Sequence, residues 1–204
     1  IEGIIGGSGN DVLKGDAGAN YLDGGLGNDT LVGGSGGGNL FGEDGNDTLS
    51  LSGGGSTAYG GEGDDYLAGT GTFYGDAGND VIRGVDGSSV FGGAGDDDIE
   101  VSANVAFVEA GAGDDRVKVS QNVYFNGGSS YIGDGTITSF SPLSLNGGAG
   151  SDVLSFGYIS SYVYPIESGN TLILTDDVSG FERITFEYVD AYGGRFRVLL
   201  SDGN

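Results

Sequence analysis

A nine-residue phrase governs this chain. Gly6-Gly7-Ser8-Gly9-Asn10-Asp11-Val12-Leu13-Lys14 fits the pattern G-G-x-G-x-D-x-U-x, with U a large aliphatic residue, and it returns, intact or degraded, as far as Ser155. Good copies begin at Gly24, Gly60 and Gly92. The aspartates at its sixth position are Asp11, Asp29, Asp47, Asp65, Asp80, Asp97 and Asp115, with Asp152 after a gap, and successive spacings are 18, 18, 18, 15, 17, 18 and 37. A fixed period predicts a solenoid, in which a pair of nonapeptides makes one coil and each half gives a loop and a short strand. The step of 37 reads as two coils, with a midpoint near residue 134 and Asp152 back on the same edge.

The two halves of a coil differ. One half keeps the loop aspartate, while the other carries Asn20, Gly38 or Ser56 in its place and is later shortened. The coil therefore has an aspartate edge and a plain edge. Side chains at U alternate to the inner face of a strand. This puts Leu13, Leu31, Leu49, Leu67, Ile82, Ile99 and Val117 inside after the aspartate loops, and Leu22, Leu40, Ala58, Phe73, Val90, Val108 and Phe125 inside after the plain turns. Phe41, Tyr59, Tyr74 and Phe91 share one outward slot and predict an aromatic stripe, covered by the C-terminal segment or a neighbouring domain.

Composition narrows the function. With 30 acidic against 7 basic residues the formal charge is −23, which disfavours nucleic acid and anionic membrane as partners and calls for counter-cations. The chain has no Cys, His, Met or Trp. That excludes the usual Cys/His zinc and copper sites, His-based acid–base catalysis and disulfides. No apolar run approaches the ~20 residues of a membrane-spanning helix, so membrane insertion is not expected. A start at Ile1 without a leader suggests a fragment.

In the loop, glycine allows carbonyls to turn toward one point. Position five is Asn10, Asn28, Asn46, Asp64, Asn79, Asp96 and Asp114, residue types that tolerate left-handed backbone, which suggests a backbone role there and a ligand role for position six. Carboxylate and carbonyl oxygens without nitrogen or sulfur make a hard-cation site favouring Ca²⁺ over Mg²⁺. Alternatively, Asp in glycine loops can cap turns without metal.

The repeats resemble the RTX, or hemolysin-type calcium-binding, repeats of bacterial type I secreted proteins over about three quarters of the chain. The resemblance implies an all-β fold, a right-handed parallel β-roll (β-solenoid) over residues 1–155. It also implies about six Ca²⁺ ions, each between two loops of one edge. The first loop would give the carbonyls of positions two and four and its aspartate, and the second those of positions one and three and its aspartate. By that rule the first ion takes Gly7, Gly9, Asp11, Gly24, Leu26 and Asp29, and the second Gly25, Gly27, Asp29, Gly42, Asp44 and Asp47. The third takes Glu43, Gly45, Asp47, Gly60, Glu62 and Asp65, and the fourth Gly61, Gly63, Asp65, Gly75, Ala77 and Asp80. The fifth takes Asp76, Gly78, Asp80, Gly92, Ala94 and Asp97, and the sixth Gly93, Gly95, Asp97, Ala110, Ala112 and Asp115. Asp152 is a further candidate ligand, beyond the gap.

From residue 156 glycine thins and strand-like runs appear at 158–164, 171–175, 184–189 and 196–200, separated by turn residues. Residues 156–204 are thus expected to form a C-terminal antiparallel β cap over the last coil. The sequence at 180–186, Gly-Phe-Glu-Arg-Ile-Thr-Phe, is similar to a strand that follows many RTX blocks. The expected function is a secreted, calcium-binding roll that folds on meeting extracellular Ca²⁺ and supports type I secretion. Alternatives are a structural or adhesive surface module, or an accessory domain of a secreted protease, lipase or epimerase. No nucleophile, base or redox metal is arranged for catalysis, so enzymatic activity is not expected of this chain.

Overall fold

The computed structural model describes residues 3–85, 87–102, 107–119, 123–125, 136–137, 144–161, 170–174, 178–179, 183–191 and 196–200, and the described residues contain no helix. Strands Ile4–Ser8, Asn20–Leu26, Gly38–Asp44, Thr57–Glu62, Thr72–Ala77, Ser89–Ala94, Phe107–Ala112, Ser144–Ala149 and Val178–Ser179 form one sheet in that order. The second sheet runs through Val12–Lys14, Thr30–Val32, Thr48–Leu51, Tyr66–Gly69, Val81–Gly84, Asp98–Val101, Arg116–Val119 and Val153–Ser161. Val123–Phe125 and Arg183–Ala191 both pair with that last strand. The chain crosses from the first sheet to the second through an aspartate loop and returns through a plain turn. Each strand therefore meets its copy one coil later, running the same way, which is why the ladders are parallel.

The core is the pair of ladders that the U positions predict. Leu31, Leu49, Leu67, Ile82, Ile99 and Val117 are buried in one cluster with Leu22, Leu40, Ala58, Phe73, Val90 and Val108, and Leu13 joins them at the first coil. The side chain of Phe125 lies outside the description. Leu51, Val101 and Val119 are also buried, because the residue two places after U faces the same way. Each such side chain contributes about 1.5–3 kcal/mol by burial, which must offset the ordering of many glycines.

Coils of unequal length keep their aspartates in register. Ala58 pairs with Phe73, 15 residues on, and Phe73 with Val90, 17 on. The missing residues come out of the plain turns: Gly69 and Gly71, both at positive φ, bound a tight turn where earlier coils have longer ones.

Two expectations are corrected here. Phe107–Ala112 pairs directly with Ser144–Ala149, and Arg116–Val119 with the start of Val153–Ser161. Asp152 is thus one coil beyond Asp115, not two, and residues 120–143 are inserted into a single coil. The second correction concerns the C-terminal strands, whose pairings among the described residues are all parallel. Val153–Ser161 pairs parallel with Arg183–Ala191, Asn170–Leu174 parallel with Thr136–Ile137 and Phe196–Leu200, and Ser144–Ala149 parallel with Val178–Ser179. Strand Val153–Ser161 also runs without a break across residue 156. The midpoint expected near residue 134 and residues 180–182 lie outside the described residues.

On the outer face of the first sheet, Phe41, Tyr59, Tyr74 and Phe91 stack with centroids 4.7–5.0 Å apart and planes within 7°. Tyr21 and Phe107 close the two ends as tilted rings, 5.1 and 5.3 Å away. The separation is that of neighbouring strands, so the fold itself sets the stack. The rings cover one another's faces and leave their edges outward.

Candidate metal sites

The aspartate loops are shaped by residues at positions two and four, which have positive φ in every coil, as at Gly25 (98°) and Gly27 (115°). The same backbone is forced on Glu43 (74°) and Asp76 (73°), the only non-glycine residues at positive φ among those described. Alternating this conformation turns carbonyls in opposite directions along the stack. Carbonyls at positions two and four point forward: Gly7 O lies against the Cα of Gly25, and Gly9 O against that of Gly27. Those at positions one and three point backward. Gly42 O faces Gly24, and the carbonyls of Leu26, Asp44, Glu62, Ala77, Ala94 and Ala112 accept hydrogen bonds of 2.7–2.8 Å from the position-four N–H of the coil before. A carbonyl so engaged keeps a second lone pair. Every gap between loops is therefore lined by oxygens from both sides.

The aspartates form a column through these gaps. The N–H groups of Asp11, Asp29, Asp47, Asp65, Asp80, Asp97 and Asp115 each donate to Oδ1 of the aspartate one coil later, at 2.6–2.9 Å. Those from Asp29 to Asp115 are 1–2% exposed. Oδ2 of each of these seven is buried with no hydrogen-bond partner. A buried acceptor left open costs on the order of 1–3 kcal/mol, more when charged. Its repetition along the column calls for a common ligand.

Electrostatics agree. Burial pushes the carboxyl groups of Asp65 and Asp97 up to about 7 and those of Asp80 and Asp115 up to about 6, against the backbone N–H bonds that lower them. Neighbouring carboxylates add to the rise, and Asp47 is raised in the same way. A column of buried like charges is stable only with protons or cations among them. Among the described residues no three acidic side chains converge on one point. Each gap brings two aspartates, and its remaining donors are main-chain oxygens, an all-oxygen set suited to a hard cation.

The six expected ligand groups can be compared with one point in each gap. A Cβ built on Gly6 would stand 2.7 Å from Asp11 Oδ2 and 2.5 Å from Gly24 O. On Gly60 it would stand 2.6 Å from Gly75 O and closer still to Asp65 Oδ2. Gly24, Gly42, Gly75 and Gly92 repeat the arrangement with Asp29 and Gly42 O, Asp47 and Gly60 O, Asp80 and Gly92 O, and Asp97 and Ala110 O. In six gaps the first loop's aspartate and the second loop's position-one carbonyl thus converge, and only a hydrogen atom of glycine lies between them. The short coil before Asp80 does not disturb this.

Position five has a different role from the one its residue types suggest. None of Asn10, Asn28, Asn46, Asp64, Asn79, Asp96 and Asp114 has positive φ. Instead, Oδ1 of each accepts the position-five N–H of the next coil, at 2.7–3.2 Å and ending on Ser151 N–H. This exposed ladder runs opposite in sense to the buried one.

The plain edge contains residues whose function the sequence reading missed. Asn20 Nδ2 donates to the carbonyls of Gly18 (2.7 Å) and Asp16 (3.2 Å), while its Oδ1 accepts from Asp16 N–H. Ser56 Oγ donates to Gly53 O at 2.7 Å, and Ser88 Oγ bridges Gly71 N–H and Gly69 O. The signal was a polar residue at the slot where the aspartate was absent.

Comparison with known proteins places this geometry. The family model of the RTX calcium-binding nonapeptide repeat matches in four copies, at residues 5–40, 41–71, 74–103 and 144–157, which together exceed half of the chain. The unmatched stretch contains the insertion at 120–143. No curated protein and no solved structure matches. The chain belongs to the RTX calcium-binding nonapeptide repeat family.

Proposed function

We propose that this roll is a calcium-triggered folding module of an exported bacterial protein. About six ions would lie along the aspartate edge, held by the ligand groups named above. The observation that carries this is the row of buried, unsatisfied Oδ2 atoms from Asp11 to Asp97, one in each of the six gaps. Bound calcium would supply the positive charge these oxygens lack. Each internal aspartate borders two gaps, so filling one gap fixes a ligand of the next and makes loading cooperative.

Extracellular calcium modules bind with Kd of about 10⁻⁴ to 10⁻³ M, above cytosolic calcium and near external levels. A chain tuned to that range stays unfolded in the cell, in a form suited to type I export, and folds outside. Binding to the folded state alone stabilises it by RT ln(1 + [L]/Kd) for each site. The aromatic edges of Phe41, Tyr59, Tyr74 and Phe91 are the surface we assign to a neighbouring domain of the parent protein. The roll itself would act as scaffold, not catalyst.

Far-UV circular dichroism after EDTA treatment, with CaCl₂ added and MgCl₂ as control, tests the proposal. The expected result is a steep coil-to-β transition near millimolar Ca²⁺ and none with Mg²⁺. Full β signal in EDTA would overturn it.

A further inference from the structure

The chain has a seventh gap, between the loops of Asp115 and Asp152, and it differs from the other six at one residue. Position one is Gly6, Gly24, Gly42, Gly60, Gly75 or Gly92 in the loops that open the first six gaps, but Ala110 in the loop that opens the seventh. At each of those glycines, a Cβ would collide with the loop's own Asp Oδ2 and with the next position-one carbonyl. These are two of the oxygens that the calcium reading makes ligands of one ion. Ala110 carries that carbon, and it is fully buried.

We infer that the gap between the Asp115 and Asp152 loops takes no calcium, because the Ala110 methyl group presses on the two oxygens that would hold the ion. This rests on the calcium reading above. The two ends of Ala110 act on different gaps. Its carbonyl points backward, to the place beside Asp97 Oδ2 that Gly92 leaves open, so the sixth gap keeps its oxygens. Its methyl points forward and obstructs only the seventh.

The seventh gap carries the same hydrogen bonds that every other gap has. Asp115 N–H donates to Asp152 Oδ1 (2.9 Å), Gly113 N–H to Ala149 O (2.9 Å), Val153 N–H to Asp115 O (2.7 Å) and Ser151 N–H to Asp114 Oδ1 (2.9 Å). Strand pairing continues through it without a shift, Gly111 to Gly148 and Val117 to Leu154. The calcium column therefore ends at the coil that holds the insertion 120–143. At that gap the described residues are joined by hydrogen bonds and strand pairing, without an ion.

The test counts ions. The EDTA-treated full chain, its Ala110→Gly variant and its Gly60→Ala variant would be dialysed to equilibrium against saturating CaCl₂ and the bound calcium measured by atomic absorption. Ala110→Gly should bind one ion more than the parent chain. Gly60→Ala, with its far-UV β signal retained, should bind one fewer. Equal counts for Ala110→Gly and the parent would overturn the inference, as would an unchanged count for Gly60→Ala, which would remove its steric basis. No bound calcium in any of the three would overturn the calcium reading, and this inference with it.

Discussion

On the plain edge the Asn20 amide donates to two carbonyls of its own turn, and Ser56 closes its turn onto Gly53. Across the core, on the aspartate edge, Asp65 keeps one carboxylate oxygen buried and without a hydrogen bond. Both edges face the same difficulty, a tight glycine-rich turn repeated every coil with carbonyls crowding inward. The plain edge answers it with side-chain donors that travel with the chain and work in any medium. The aspartate edge buries carboxylate oxygens without donors, and on our proposal it is incomplete until a cation arrives. On that proposal one edge makes the turns possible and the other makes folding conditional.

If this division is right, the two edges should respond differently to mutation. The largest effect should follow Asp65→Asn, which removes charge from two adjoining gaps at the centre of the column. The calcium midpoint of folding should rise by at least about tenfold, equivalent to ~1.4 kcal/mol, and the transition should broaden as the column splits. A calcium titration followed by circular dichroism reads both. Asn20→Ala should act on the other side of the comparison. It leaves the Asp16 and Gly18 carbonyls without their donor and should cost about 1–3 kcal/mol. Thermal melts in saturating calcium should show that loss, while the number of bound ions stays that of the parent. A fall in that number would break the separation of the edges.

A third test uses protons as a substitute for calcium. The folded-state pKa values of Asp65 and Asp97 are raised to about 7 and those of Asp80 and Asp115 to about 6, by burial first. The calcium-free folded state therefore binds more protons than the unfolded chain between roughly pH 4 and pH 7. Stability from these groups is fully present below the unfolded value and is lost as pH rises through the folded one. In EDTA, β signal should grow as pH is lowered from 7.5 to 5. Over the same range the calcium midpoint should rise, because protons compete for the same oxygens. Asn20 and Ser56 carry no charge, so Asn20→Ala should leave the direction of both trends unchanged.

Much of this was legible in the chain. Aspartate spacings of 15, 17 and 18 reappear as the pairing offsets of the strands, because the loop, not the plain turn, fixes the register. The U positions gave the core for the same reason. Asp152 was misplaced because 37 residues equal two coils as readily as one coil with an insertion, and only the pairing of Val108 with Leu145 distinguishes them. The C-terminal strands were read as hairpins because turn residues separate them, yet Val153 finds its partner at Arg183, in parallel. At position five, residue types suggested a left-handed backbone role, but the structure uses the side chains as acceptors. That ladder, from Asn10 to Ser151, depends on a neighbour 15 to 37 residues away.

The smallest effect sharpens the comparison from the backbone side. Position two of the aspartate loop requires positive φ, and Glu43 meets that requirement at 74° although it carries a Cβ. Left-handed backbone costs an ordinary L-residue about 1–2 kcal/mol. Glycine removes this cost but loses about 0.5–1 kcal/mol in the entropy of the unfolded chain. Glu43→Gly should therefore gain roughly 0.5–1 kcal/mol, a rise of about 1–4 °C in Tm for a chain of this size. Glu43→Ala removes the same exposed carboxylate but keeps the strain, so it isolates the backbone contribution and should not reproduce the gain. Both melts belong in saturating calcium, where the aspartate edge is complete and the loop is held to its folded conformation. An equal shift in the two variants would assign the effect to charge, and the loop would then impose less on position two than its φ implies.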